Sequence, residues 1–184
     1  SAGHDPPNFY GIMFEVEVAA SLSRKGIPFE KGERPDFEVE VLRDTVGIEC
    51  TTGRIEGGGL PLRKLEARVA KKGKKDYMGL PDVVFVDATG VHYASAGGGK
   101  VEMKKAVEED VKGALSAGVH QGRIGAAVAF VRMHHDGTGN PETIYYRTDH
   151  IRIGESLQRF LDSWYPFGEW RKFILEKISY LPQR

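Results

Sequence analysis

A single cysteine, Cys50, excludes an intramolecular disulfide framework and a multi-cysteine zinc centre, and it fits a reducing compartment, so a cytoplasmic address is expected. No apolar run approaches the roughly 20 residues that a membrane helix needs, and no charged segment followed by an apolar one opens the sequence, so no membrane association is expected. A charge excess is missing too. The 26 basic side chains balance 26 acidic ones, so any affinity for nucleic acid must come from local clustering. There is no His-Glu-x-x-His spacing, no lysine-serine/threonine signature after Gly57-Gly58-Gly59, and no internal repeat or low-complexity stretch.

What is present fits one α/β domain, since 184 residues suffice for a single adequate core. Residues 1–10 read as a lead segment or expression scar, and residues 11–184 as one domain with a helical C-terminal tail. Apolar residues at three- and four-residue spacing, Phe14, Val18 and Leu22, predict a helix from Gly11 to Lys25, stopped at Gly26. Alternation in Phe37, Val39 and Val41, then in Ile48 and Cys50, predicts two strands joined by a polar turn through Arg43, Asp44 and Thr45. A helix from Pro61 to about Asp76 follows, with Leu62, Leu65 and Val69 inward; continuing by three reaches Lys72. Val83 to Val86 is a near-continuous apolar run, as in a strand buried on both faces, and the strand–helix–strand order implies a crossover and parallel pairing. A helix over Val101 to Ala117, strands over Ile124 to Val131 and Thr143 to Arg147, and helices over Glu155 to Trp164 and Glu169 to Ile178 complete the pattern. The expected architecture is a central mixed β-sheet flanked by helices.

Two carboxylates mark the hairpin. Asp36 shares the parity of Glu38 and Glu40, and Glu49 lies on the opposite face of its strand from Ile48 and Cys50, so pairing across the turn brings Asp36 and Glu49 together. A hard cation such as Mg²⁺ or Mn²⁺ needs one or two such oxygens and keeps positions open for water and phosphate; the carbonyl of Cys50 is a further candidate ligand. Each acid taken alone reads better as a solubilising group at a sheet edge. Glu15, beside Phe14, reads by itself as a solvated helix edge.

The helix after Pro61 concentrates positive charge. Arg63, Lys64, Arg68, Lys71 and Lys75 suit contact with a phosphate backbone, though a wet helix face has the same composition. Other chemistries are weaker: His134 and His135 are adjacent in a turn-like segment, and Cys50 falls on the apolar parity, where cysteine is usually a packing residue. Tyr77, Trp164 and Trp170 can stack on bases but serve packing more often.

Pro35-Asp36 followed by Glu49, with twelve residues between the acids, resembles the PD-(D/E)xK nuclease superfamily, which has the restriction-endonuclease-like fold. Glu15 on the preceding helix is similar to an additional metal-facing glutamate in many members. One position departs: two residues after Glu49, where the motif places lysine, stands Thr51. The inner-face Lys72 resembles a lysine relocated to the following helix, as some members have it, with Lys71 and Lys75 as runners-up. The resemblance implies hydrolysis of phosphodiester bonds in nucleic acid, DNA rather than RNA, with Mg²⁺ or Mn²⁺ on Asp36 and Glu49. It assigns catalytic support to Glu15 and Lys72, and a homodimer as the working form. The competing reading is an inactive module of the same fold that binds nucleic acid or a protein.

Overall fold

The computed structural model describes residues 9–53, 61–95, 105–133 and 142–167. They form an α/β domain around one six-stranded mixed sheet whose strand order follows the sequence, β1 to β6. The strands are β1 (Glu30–Lys31), β2 (Phe37–Val41), β3 (Asp44–Thr52), β4 (Val83–Asp87), β5 (Ala126–Met133) and β6 (Glu142–Asp149), and the helices are α1 (Phe9–Arg24), α2 (Pro61–Gly73), α3 (Thr89–Ser95), α4 (Lys105–Gly122) and α5 (Glu155–Trp164). The β1–β2, β2–β3 and β5–β6 pairs are antiparallel, whereas β3–β4 and β4–β5 are parallel. The parallel centre arises because α2, and then α3 with α4, return the chain between β3, β4 and β5.

Period-two alternation sorts the side chains between two cores. On one face Val84, Val86, Ala127 and Ala129 pack with Leu65 and Val69 of α2 and with Val111, Leu115 and Val119 of α4. On the other, Val46, Ile48, Cys50, Phe85 and Val128 pack with Phe14, Val18 and Leu22 of α1 and with Leu157, Phe160 and Leu161 of α5. Glu49, in register with Val84, therefore lies on the α2 face, and Cys50 on the α1 face.

The hairpin is tighter than its composition indicates. Val41 pairs with Asp44, so the loop is Leu42-Arg43 alone, and Leu42 takes a positive φ of 61° while 59% exposed. The turn thus begins earlier than expected, because β3 extends back to Asp44 and absorbs Asp44 and Thr45 into the ladder. Further along, Gly47 allows a close approach: a Cβ there would stand 2.6 Å from Asp82 Oδ1 and 3.0 Å from Pro35 Cγ. The Gly47 and Gly79 N–H groups donate to the two oxygens of buried Asp82, at 2.9 and 2.7 Å. Burial pushes the Asp82 carboxyl up, against those two hydrogen bonds. Asp82 thereby ties the base of β4 to β3.

Several boundaries moved. Helix α2 ends at Gly73, earlier than Asp76, and α3 was not foreseen, since seven residues are too few for periodicity to show. Helix α4, described from Lys105, runs on to Gly122, five residues beyond the expected Ala117, while 101–104 lie outside the described residues. Gly57-Gly58-Gly59, the His134–His135 segment, Trp170 and the second tail helix lie outside the described residues. Among the described residues no helix is long and apolar enough to cross a membrane.

Candidate active site at the α1–β2–β3–α2 junction

The antiparallel register Phe37↔Ile48 sets Asp36, one residue before β2, opposite Glu49 in the middle of β3. Instead of continuing the ladder, Asp36 uses its side chain: the Cys50 N–H donates to Asp36 Oδ2 at 2.7 Å. In an extended strand the N–H and C=O of one residue leave on the same side, so the Cys50 carbonyl also leaves towards Asp36. The Cys50 side chain points the other way, into the core. Burial, with the negative charges of Asp36, Glu15 and Glu49, drives its thiol well above the usual range, which opposes a thiolate nucleophile.

Glu49 is 2% exposed and fully engaged. Its Oε1 accepts from Lys72 Nζ at 2.6 Å and from Lys75 Nζ at 3.0 Å, while Oε2 accepts from the Tyr77 hydroxyl at 3.2 Å. Burial alone would push this carboxyl up; the hydrogen bonds and charges of Lys72 and Lys75 outweigh it and hold Glu49 below the usual carboxylate range. Lys72 reaches the strand because Leu65 and Val69 are fully buried and anchor the same face of α2. Thr51, two residues beyond Glu49, is half-buried and carries no charge.

Asp36 has the opposite electrostatics. Burial pushes its carboxyl up, the Cys50 hydrogen bond lowers it, and the nearby Glu49 and Glu15 raise it again, for a net rise. Lys31 from the edge strand answers part of that charge: its Nζ is 2.7 Å from Glu15 Oε2 and 4.0 Å from Asp36 Oδ1. Glu15, Asp36, Glu49 and Lys72 thus converge, together with Lys75, a runner-up to Lys72 for the relocated lysine, and with Lys31 and Tyr77, which sequence reasoning did not place there. Lys75 was expected on a flank of the helix. The helix stops at Gly73, so helical periodicity no longer governs Lys75 and Tyr77, and the turn swings both back to Glu49. The Lys75 ammonium also stands 5.3 Å from the Tyr77 ring centroid. For Lys31 no sequence signal existed, because a two-residue strand leaves no pattern.

The donors fit a hard cation. Asp36, just before β2, and Glu49, on β3, offer carboxylate oxygens, and the negative charge around Asp36 is of the kind that a divalent ion would relieve. Among the described residues there is no group of three or more His, Cys, Asp or Glu side chains arranged to hold an ion. An ion here would therefore rest on one or two carboxylates with water and substrate oxygens, the coordination that Mg²⁺ favours.

The remaining cations of α2 divide. Arg63 and Lys71 are exposed, Lys64 is half-buried, and Arg68 turns inward to donate to the Thr52 carbonyl. Elsewhere His92 is fully buried, its two ring nitrogens without a hydrogen-bond partner among the described residues, lying near-parallel to Tyr146 at 6.2 Å, and burial lowers its pKa. His120, near the end of α4, and His150, just after β6, approach to 4.9 Å between ring centroids. Trp164 packs against the α1–α5 core. Compared with protein families, curated proteins and solved structures, the chain matches none.

Proposed function

We propose that the chain is a metal-dependent phosphodiesterase acting on nucleic acid, DNA in preference to RNA, on a restriction-endonuclease-like scaffold. One observation carries the reading: Lys72 Nζ lies 2.6 Å from Glu49 Oε1, on the strand position facing Asp36, so a lysine from α2 would stand in for the one that the motif places at Thr51. Asp36 and Glu49 would hold Mg²⁺ or Mn²⁺, with the Cys50 carbonyl directed to the same side and Glu15 behind them. Such an ion, when bound, acidifies water and neutralises charge on a phosphodiester.

The chain's own groups supply the rest. Lys72 and Lys75 share one carboxylate oxygen, so either ammonium can turn to a phosphate while the other keeps the buried Glu49 ionised. An ammonium so placed stabilises the charge that develops on the phosphorus oxygens. Arg63, Lys64 and Lys71, further along α2, would track the backbone of the nucleic acid. A homodimer, which would present two such sites to a duplex, belongs to the same proposal.

The test is nicking of supercoiled plasmid and cutting of short DNA and RNA duplexes with Mg²⁺, Mn²⁺ or chelator. Cation-dependent cleavage lost in Asp36→Ala and Glu49→Ala is the expected result, and equal cleavage by both variants refutes the assignment. A second reading, a non-catalytic module binding nucleic acid or protein, is favoured by the saturation of Glu49 with three donors. It predicts salt-sensitive DNA binding with no Mn²⁺ uptake.

A further inference from the structure

The described acidic site is balanced internally: three carboxylates, Glu15, Asp36 and Glu49, face three ammonium groups, Lys31, Lys72 and Lys75. The two halves differ in kind. Around Glu49 the lysines come from α2 and its following turn and contact a side chain that is 2% exposed. Around Asp36 the only described cation within ion-pair distance is Lys31, which is 51% exposed and comes from the two-residue edge strand β1. It pairs with Phe37, the first residue of β2, next to Asp36, and its ammonium lies 4.7 Å from the Phe37 ring centroid.

We propose that Lys31 is a resident competitor for the cation: it offsets part of the charge of Glu15 and Asp36 in the metal-free protein and must swing away for a divalent ion to bind them. This rests on the metal-site reading above and adds a regulation of that site. The geometry favours it over a structural ion pair. The ammonium bridges two carboxylates from different elements, one of them a proposed ligand, and does so from a half-exposed side chain that can re-enter solvent at little cost. Divalent affinity is then set by an exchange, in which one ammonium leaves as one ion arrives. A weakened Mg²⁺ affinity would follow, with the site closed by its own lysine until substrate phosphates add their oxygens to the donor set.

The test is calorimetric titration of the full chain with MnCl₂, comparing the unmodified protein with Lys31→Gln, Lys31→Arg and Lys112→Gln. The last removes the same charge from a pair with Glu108 on α4, away from the site. Lys31→Gln should bind Mn²⁺ about two- to fivefold more tightly, the scale of an exposed ion pair. Lys31→Arg and Lys112→Gln should stay near the unmodified value. Binding by Lys31→Gln alone, with none by the unmodified protein, also supports the proposal. Unchanged or weaker affinity in Lys31→Gln, or an equal gain in Lys112→Gln, overturns the competitor while leaving the metal site standing. If neither the unmodified protein nor Lys31→Gln takes up Mn²⁺, the metal-site reading falls and the competitor with it.

Discussion

Replacing Lys72 with methionine removes the ammonium 2.6 Å from Glu49 Oε1 but keeps most of the apolar stem that covers the end of α2. Removing one partner of a buried pair costs about 3–5 kcal/mol when the other charge is left bare. Here Lys75 at 3.0 Å and Tyr77 at 3.2 Å remain, so the loss should be that of one charge-assisted hydrogen bond, about 1.5–3 kcal/mol. The pH dependence separates this from lost packing. Glu49 has a folded pKa below its unfolded one, so its ion pairs add stability that is fully present above the unfolded pKa and lost as pH falls through the folded value. The gap between the two proteins should therefore be largest near neutrality and shrink as the pH drops below the ordinary carboxyl range. Urea denaturation at a series of pH values reads it directly. In the cleavage assay the same variant should lose about 10²–10³-fold in rate, as for a removed electrostatic stabiliser. A Lys72→Met protein with unaltered stability at neutral pH, or with a deficit that does not change with pH, would refute the account of Glu49.

Two further outcomes follow from neighbouring residues. Asp36→Asn keeps an oxygen for the Cys50 N–H but removes a carboxylate whose folded pKa is raised, so it should stabilise the fold by about 0.5–1 kcal/mol at neutral pH while abolishing Mn²⁺ binding. Because a raised carboxyl pKa makes the ionised form costly in the native state, the gain should be absent well below the unfolded pKa and appear as pH rises through the folded one; thermal melts at several pH values check it. Leu42→Gly relieves a left-handed backbone at φ 61° with little apolar burial to lose, and should raise stability by about 1 kcal/mol, or Tm by about 2–4 °C; an unchanged or lower Tm counts against strain at that turn.

Most of the sheet was readable from local pattern. The alternation through Phe37, Val39 and Val41 and the apolar run from Val83 produced strands where expected, because side chains alternate across a strand and a central parallel strand is apolar on both faces. Leu65 and Val69 likewise announced which face of α2 is buried, and through it that Lys72 points inward. Helix α3 and strand β1 stayed hidden, being shorter than any period that could mark them.

The sequence by itself determined the class of the fold, the facing of Asp36 and Glu49, and the candidacy of Lys72, since each follows from a two- or 3.6-residue period acting over a few neighbours. Tertiary structure alone decided the company those acids keep. Lys75 and Tyr77 reach Glu49 because the chain leaves its helix at Gly73, and Lys31 reaches Glu15 and Asp36 because an edge strand pairs beside β2. Such contacts depend on where one element stops and another lies across it, and no local repeat encodes that. They hold the Glu49 carboxyl below the usual range and leave that of Asp36 above it.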